Sequence, residues 1–582
     1  MSEAGDSARR TRRIAIPLLA LTLLGLALTL PRLGSSGLWD PWEPKYAQTA
    51  REMGERGDWI VPYFREHPRL NKAPMTYWLI GASQSLLGVT ELAARLPSAL
   101  LGVIGPLALM LAFAARGREL EGFLAGAALL TGPQWTLIGR FATPDMPLAS
   151  CFAIALACAI ALPGATTRRH RRGLFLILLL AIAAAGLTDW PRGLLLPLWS
   201  VVGWAAIAVP LAGVPVLAAV GALHYVAQRI YNIPLNLVSI AATALAAPVF
   251  LKIRGSIGLR ASLIGAAVVV LLVVPWLVAV HWLEPDDVSL LRYKYAFNLG
   301  ETEGRFTKSL VYVLNIVSIG ALPWSAAALV GLIVGVGRRK DDVAVLSAGA
   351  FIGCFLFFTL AEAKMGHFYG AMQPAVASLA AVGLVSMLRR RDWTAFVAGA
   401  ALVGVWLVIR DEPARILETA TVKRSLFGLD LLVPATVATL AWAAALIAAG
   451  LWRRERWAIA GVLPAALFAG ALGIWLLPTL EPKKSLKPTW ARYLETRSEG
   501  EPIGSMGSVK DGYIYYSNNG IARLKRQSQI SEFLAGPGAK FVILSKKDYR
   551  RLGLDKGVAG GRWERLEESH PTHLLVRFTP GR

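Results

Sequence analysis

The run ASLIGAAVVVLLVVPWLVAV, residues 261–280, holds twenty consecutive positions without a charged side chain. At about 1.5 Å per residue a helix of that length crosses the ~30 Å hydrocarbon core of a bilayer. In lipid every backbone N–H and C=O must be paired internally, which leaves helices and closed barrels as the spanning structures. Residues 14–30, IAIPLLALTLLGLALTL, and 174–187, LFLILLLAIAAAGL, repeat the pattern, and such blocks recur until about Leu477. The whole chain agrees. Of its 582 residues 55% are hydrophobic and 17% charged, against about 25% charged in soluble domains, and the mean hydropathy is +0.50. These features predict a polytopic α-helical membrane protein.

The first block carries a basic flank, Arg9, Arg10, Arg12 and Arg13. It runs into Pro31-Arg32 without a small-x-small cleavage pattern, so the reading is a retained first helix with a cytoplasmic N-terminus. The net charge of +23 does not point to nucleic acid, because the basic residues sit in clusters between apolar blocks. Examples are residues 168–172 (RRHRR), 338–340 (RRK) and 389–391 (RRR). Positive-inside bias makes each of these a cytoplasmic loop. Counting crossings then puts residues 32–90 outside. The loops near 140–145, 189–192, 282–308, 362–370 and 410–427 also fall outside, as does the chain after about 480. Three crossings are expected over 191–251, and about 13–15 transmembrane helices in all. Cys151, Cys158 and Cys354 lie inside apolar blocks and read as buried thiols.

Two domains are expected. Residues 1–479 form the transmembrane domain with a structured first outer loop, residues 32–90. That loop holds a helix over 45–55, an extended piece over 58–63 and a short interfacial helix over 76–87. Residues 480–582 form a soluble extracytoplasmic α/β domain. Its strands are expected at 513–516, 540–545 and 573–578, with a helix at 489–497.

Carboxylates at a membrane face are costly and invite a functional reading. Asp40 and Glu43 follow the first helix in Trp39-Asp40-Pro41-Trp42-Glu43-Pro44-Lys45-Tyr46. On spacing alone they equally suit a helix cap between interfacial Trp anchors. Asp145, in Arg140-Phe-Ala-Thr-Pro144-Asp145, has the same two readings. Lys72 follows Asn71 in a turn and suits either a phosphate or the interface. Thr188-Asp189-Trp190-Pro191-Arg192 suggests an ion pair at a helix end. Residues 362–369 (EAKMGHFY) place Lys364 and His367 in a polar interruption between two spans. Every cluster falls on the outer side, so several acids and cations can serve one cavity there. That set suits group transfer from a lipid phosphate: a carboxylate accepts the proton of a hydroxyl while cations stabilise the departing phosphate.

These residues resemble a known family. Residues 38–53 together with Gly57-Asp58-Trp59-Ile60-Val61-Pro62, Lys72-Ala73-Pro74 and Tyr77-Trp78 are similar to the first outer loop of the bacterial aminoarabinose (lipid A) transferases. Those enzymes belong to the GT-C superfamily with the protein mannosyltransferases. Pro144-Asp145, Thr188–Pro197, Pro275-Trp276, Arg305-Phe306, Pro323-Trp324 and Ala363-Lys364-Met365 recur in register, so the resemblance covers most of the chain. It implies a GT-C fold and a sugar taken from polyprenyl (undecaprenyl) phosphate. The acceptor is a lipid, glycan or protein at the outer face of the bacterial inner membrane. Glu43, Tyr46, Lys72, Asp145, Arg305 and Lys364 match the family pattern, and Lys45 stands for its usual Arg. The departures are Trp42 where the pattern has Asp, Asn71 for an acid, Asp189 for a lysine and Asn298 for a histidine. They argue against assuming an aminoarabinose donor or a lipid A acceptor, and against taking a divalent metal ion as a settled cofactor.

The resulting expectation is an inverting glycosyltransferase with Asp40 or Glu43 as base and Asp145 assisting. Lys45, Tyr46, Lys72, Asp189, Arg192, Arg305, Lys364 and His367 bind donor phosphate or substrate. The rival is a transporter or flippase for a lipid-linked sugar. A transporter more often shows repeated halves and midplane charges, and neither is evident here.

Overall fold

The computed structural model describes residues 3–190, 192–210, 214–216, 218–219, 222, 259–284, 309–338, 340–360, 366–390, 437, 440–445, 455–507, 510–552, 554, 561–568 and 570–581. The chain is a multi-pass membrane protein. Among the described residues eight helices are long and apolar enough to cross a membrane: Arg12–Thr29, Glu91–Ala115, Asp145–Gly164, Arg168–Thr188, Leu263–Leu283, Asp342–Leu360, Gly366–Arg389 and Ala458–Thr479. Shorter apolar helices lie at Arg192–Ala208 and Ser325–Gly337. Past the Arg192–Ala208 helix, the crossings expected up to 251 fall largely outside the described residues. So do the expected outer loop at 410–427 and most of 282–308.

The chain divides into two compact units. One comprises Met1–Pro31, Leu70–Thr76 and Ser98–Gly473, the other Arg32–Arg69, Tyr77–Pro97 and Ile474–Arg582.

In the first unit, helices meet along small residues. The Ser325–Gly337 helix lies along Gln373–Arg390, and Asp342–Leu360 along Arg192–Ala208. A Cβ on Gly331 would collide with the Leu379 carbonyl, and one on Gly353 with the Trp199 carbonyl. Hydrocarbon surrounds offer little hydrophobic gain for helix association, so close van der Waals contact between backbones carries it. The interior is filled by Trp135, Trp199, Trp324 and Trp442. The indole N–H of Trp324 donates to Thr131 Oγ1 at 2.9 Å, and that of Trp135 to the Gly102 carbonyl at 2.8 Å, as buried polar edges require. Arg140 closes one helix end: its guanidinium donates to the carbonyls of Leu28 (3.0 Å), Thr29 (2.8 Å) and Pro31 (2.7 Å). Those groups lack intrahelical donors at the C-terminus of Glu3–Thr29.

The second unit contains a five-stranded sheet in the order β4-β3-β5-β7-β6. Its strands are β3 (Ile503–Met506), β4 (Ala522–Leu524), β5 (Lys540–Ser545), β6 (Gly561–Glu567) and β7 (His573–Pro580), while β1 (Tyr63–Phe64) and β2 (His67–Pro68) form a separate hairpin. β3 runs parallel to β4 and β5, and β7 antiparallel to β5 and β6. Both faces are covered. Phe541 and Ile543 join Leu486, Tyr493 and Tyr513 on one side, and Val542 and Leu544 join Met506, Leu524 and Tyr549 on the other. Burial on both faces explains why β5 is a continuous apolar run. The strands expected at 540–545 and 573–578 are present, and the helix expected at 489–497 is Lys487–Thr496.

Residues 513–516 correct the expectation of a strand: they lie in the helix Asp511–Ser517. Their aromatic composition favours a strand only where cross-strand neighbours exist. Here Asp511 occupies the first turn and Asn518 closes the helix in the left-handed region at φ 48°. Tyr513 is buried in the sheet's core instead of pairing at its edge.

Most of the first loop, Arg32–Arg69 and the residues from Tyr77, belongs to this same unit. Its helix runs Trp42–Arg56 and ends at Gly57, whose φ of 70° requires glycine. The short apolar run forms the helix Met75–Leu87, about 20 Å long and too short to span.

Candidate active site

Two groups of charged residues account for the candidates that lie in described parts of the chain. The first is in the unit that holds the sheet. Glu43 opens the Trp42–Arg56 helix, and its Oε2 accepts the Trp39 N–H at 2.9 Å while the Glu43 N–H returns to the Trp39 carbonyl at 3.2 Å. Its carboxylate also takes a fork from Arg95, with Nε donating at 2.8 Å and a terminal nitrogen at 2.7 Å. The remaining Arg95 donors reach the carbonyls of Leu33 (3.0 Å), Ser36 (2.7 Å) and Gly37 (2.9 Å). Both partners are almost fully buried, at 3% and 1% side-chain exposure. This is a closed structural pair, which ties the entry of the first loop to the Glu91–Ala115 helix.

Asp40 differs. Its Oδ1 accepts the Gly512 N–H at 3.0 Å, while Oδ2 is buried without a hydrogen-bond partner. Burial pushes its carboxyl up to about 7, helped by Asp511 and opposed by the Gly512 N–H, Lys510 and Lys45. Lys45 forms an ion pair with Asp511 at 3.1 Å. The Tyr46 ring stacks on Tyr77, with centroids 5.8 Å apart, and lies 5.5 Å from the Arg69 guanidinium.

The second group is in the helical unit. Asp189 follows the Arg168–Thr188 helix and anchors the next one, since the Gly193 N–H donates to its carbonyl at 2.8 Å. Gly193 is needed there, because a Cβ would run into the backbone at Ala185. The Asp189 carboxylate joins two cations, pairing with Lys72 at 2.9 Å through one oxygen and with Arg192 through the other. The Arg192 guanidinium lies 3.8 Å from the Phe368 ring centroid, and Lys72 Nζ lies 6.0 Å from it. Side-chain exposures of 17%, 18% and 5% for Lys72, Arg192 and Asp189 describe a recessed array. Burial and the neighbouring Arg192 pull the Lys72 ammonium down from its ordinary range, against the pull of Asp189 and Asp145. Asp145, first residue of the Asp145–Ala161 helix, and His367 both act on this array electrostatically.

The sequence-derived candidates therefore fall into two sets: Asp40, Glu43, Lys45 and Tyr46 in one, and Lys72, Asp145, Asp189, Arg192 and His367 in the other. Arg305 and Lys364 lie outside the described residues, as does Asn298. Three participants carried no signal used in the sequence reading: Arg95, Asp511 and Phe368. Arg95 could have been found as the one cation in the apolar run from Leu92 to Phe113, where a charge implies a partner. Among the described residues no three of His, Cys, Asp and Glu converge as a metal-ligand set.

Comparison with known proteins bears on both groups. The family model described as dolichyl-phosphate-mannose-protein mannosyltransferase matches residues 14–291. In structure, ArnT from Cupriavidus metallidurans in the apo state superposes with a TM-score of 0.68 at 19% identity, covering 98% of either chain. The fold is of the GT-C type. The same ArnT bound to undecaprenyl phosphate gives a TM-score of 0.66 at 18% identity, over 97% of this chain and 98% of that one. In sequence, an uncharacterized protein of Aquifex aeolicus is 33% identical over 173 residues, 30% of this chain and 34% of its own. The undecaprenyl phosphate-alpha-4-amino-4-deoxy-L-arabinose arabinosyl transferase of Pectobacterium carotovorum is 26% identical over 348 residues, 59% of this chain and 54% of its own. The chain thus spans between a third and just over half the length of these curated relatives. The matched stretches resemble those transferases, and residues 14–291 include every described candidate except His367.

Proposed function

We propose that this chain is a glycosyltransferase that moves a sugar from a polyprenyl phosphate to a lipid, glycan or protein acceptor. The reaction takes place at the outer face of the bacterial inner membrane. The observation that carries the reading is the recessed Lys72–Asp189–Arg192 array against Phe368. Two cations share one carboxylate there, so the three groups carry one positive charge in excess, which suits a lipid phosphate beside them. The names of the relatives support the donor class. One acts from undecaprenyl phosphate and the other from dolichyl phosphate, so the lipid phosphate is common to them and the sugar is not.

In the proposed reaction the acceptor hydroxyl attacks the anomeric carbon with inversion. Its proton passes to a carboxylate, the bond from the anomeric carbon to the phosphate oxygen breaks, and the electron pair stays on the phosphate, held by Lys72 and Arg192. Asp40 suits the base better than Glu43, because Glu43 is committed to Arg95 whereas one Asp40 oxygen has no hydrogen-bond partner. A carboxyl pushed up to about 7 is also near the ideal strength for proton acceptance at neutral pH. Asp145 and His367 line the phosphate group and orient the acceptor, and Arg305 and Lys364 add donor contacts. The spacing of the basic clusters supports an outer location for the residues after about 480.

The test is transfer of label from a panel of radiolabelled polyprenyl-phosphate pentoses and hexoses to envelope lipid and protein fractions by the purified full chain. K72M and R192M should each lower kcat/KM by about 10²–10³, and D40N by about 10²–10⁴. Saturable donor binding and movement of the donor between liposome leaflets, with no transfer, would replace this reading with a lipid-linked-sugar flippase.

A further inference from the structure

The helix Asp511–Ser517 and the two residues after it hold the first loop at several points. Gly512 N–H donates to Asp40 Oδ1 at 3.0 Å, and Asp511 pairs with Lys45 at 3.1 Å. Tyr516 OH accepts the Leu38 N–H at 2.9 Å and donates to Glu91 at 3.2 Å. Asn518 Oδ1 accepts from Gln48 at 3.2 Å, and Asn519 Nδ2 donates to Glu52 at 3.0 Å. Asn518 and Asn519 both adopt positive φ, 48° and 65°, a region in which Asn is enriched among residues bearing a Cβ. The segment is shaped to present these groups in a row.

Within that row Asp511 faces cations: besides Lys45 it acts electrostatically on Arg65 and Arg69. Its carboxylate is 15% exposed and faces Lys45, two residues beyond Glu43 in the loop sequence. We propose that Asp511 is a positioning residue of the transfer reaction: through Lys45 and the adjoining Gly512 amide it fixes where the Asp40 carboxylate sits and how readily it takes a proton. This rests on Asp40 being the base. The charged and titratable groups facing Asp40 are Asp511, Lys510 and Tyr513 on the C-terminal segment and Lys45 on the loop. The segment at Lys484 contributes a carbonyl, which accepts the Asp40 N–H at 3.0 Å. Of these Asp511 supplies a negative charge that opposes ionisation, and Lys45 a positive one that favours it. Removing either must therefore move the protonation of Asp40 in opposite senses, which a loss of shape would not do.

The experiment is the pH dependence of kcat/KM for transfer from the labelled donor, using full-length D511N, K45M and D40N, each checked for folding by its thermal melt in detergent. D511N should carry the acid limb to lower pH by about one unit, and K45M should carry it upward by a similar amount. D511E should restore the original limb. An unmoved limb in D511N, with kcat merely reduced, overturns the proposal. If D511N does not fold, D511S takes its place, and an unmoved limb there overturns the proposal. Should D40N keep its rate and its acid limb, the assignment of Asp40 as base fails first and Asp511 falls with it. Loss of transfer in D40N beside an unmoved D511N limb rejects Asp511 only.

Discussion

Arg95 has an acceptor for every N–H it carries: both oxygens of Glu43 and the carbonyls of Leu33, Ser36 and Gly37. With both charges buried, the pair is worth little against an apolar replacement, yet breaking it from one side strands the other charge. R95M should destabilise the protein by about 3–5 kcal/mol, read as a lower melting temperature and a lower folded yield in detergent. R95M combined with E43L should recover much of that loss, and a double variant no better than R95M would contradict the account. The acid was legible in the sequence, because Glu43 stands in a loop motif directly after an apolar block. Its partner was not, since the two are separated by 52 positions and only the folded chain brings them together. That missing link also left Asp40 and Glu43 on an equal footing as candidate bases in the sequence. Lys72 and Arg192 were legible as cations at the ends of apolar segments. The aromatic face of Phe368, which organises them, comes from an element 296 positions past Lys72.

Among the elements, the contact between the helices Asp342–Leu360 and Arg192–Ala208 rests on glycines four residues apart. A Cβ on Gly349 would strike Trp204, and one on Gly353 would strike the Trp199 carbonyl. Overpacking a close contact costs about 1–3 kcal/mol where neighbours can yield, and more where the obstacle is backbone. G353V should therefore lower the melting temperature and broaden the gel-filtration peak. Because Arg192 begins the displaced helix, the variant should also weaken donor binding. Normal donor affinity in a destabilised G353V would separate the helix contact from the phosphate array. Apolar blocks revealed that these helices exist, since hydrocarbon thickness fixes their length. Which helix meets which was not legible, because lipid-facing and helix-facing positions are both apolar. In the sheet, β5 and β7 were legible as alternating or continuous apolar runs. Residues 513–516 were misread because four residues of aromatic and aliphatic character fit a strand locally, and only the Asp511 start and the Asn518 cap impose the helix.

At the scale of the whole molecule, stability as a function of pH sums groups whose proton affinity changes on folding. Asp40 is raised from 3.8 to about 7 by burial, so the folded chain binds a proton there that the unfolded chain has released. Its contribution is fully present below about pH 4 and is lost as pH rises through 7. His570 and His573 act in the other direction. Burial and nearby Lys510 lower both from 6.5 to about 4, so the unfolded chain binds more protons between those values. Stability from this pair is lost as pH falls through 6.5 toward 4. The melting temperature should accordingly climb from pH 4 to about 7, ever more slowly as Asp40 offsets the histidines, and level off above it. D40N keeps an oxygen to accept the Gly512 N–H and has no charge to bury. It should melt with the wild-type chain near pH 4, pull ahead as pH approaches 7 and hold a constant lead above it. A D40N lead that is the same at pH 4 and pH 8 would mean that Asp40 is ionised across the whole range. The buried-carboxylate account, and the base assignment built on it, would then be lost together.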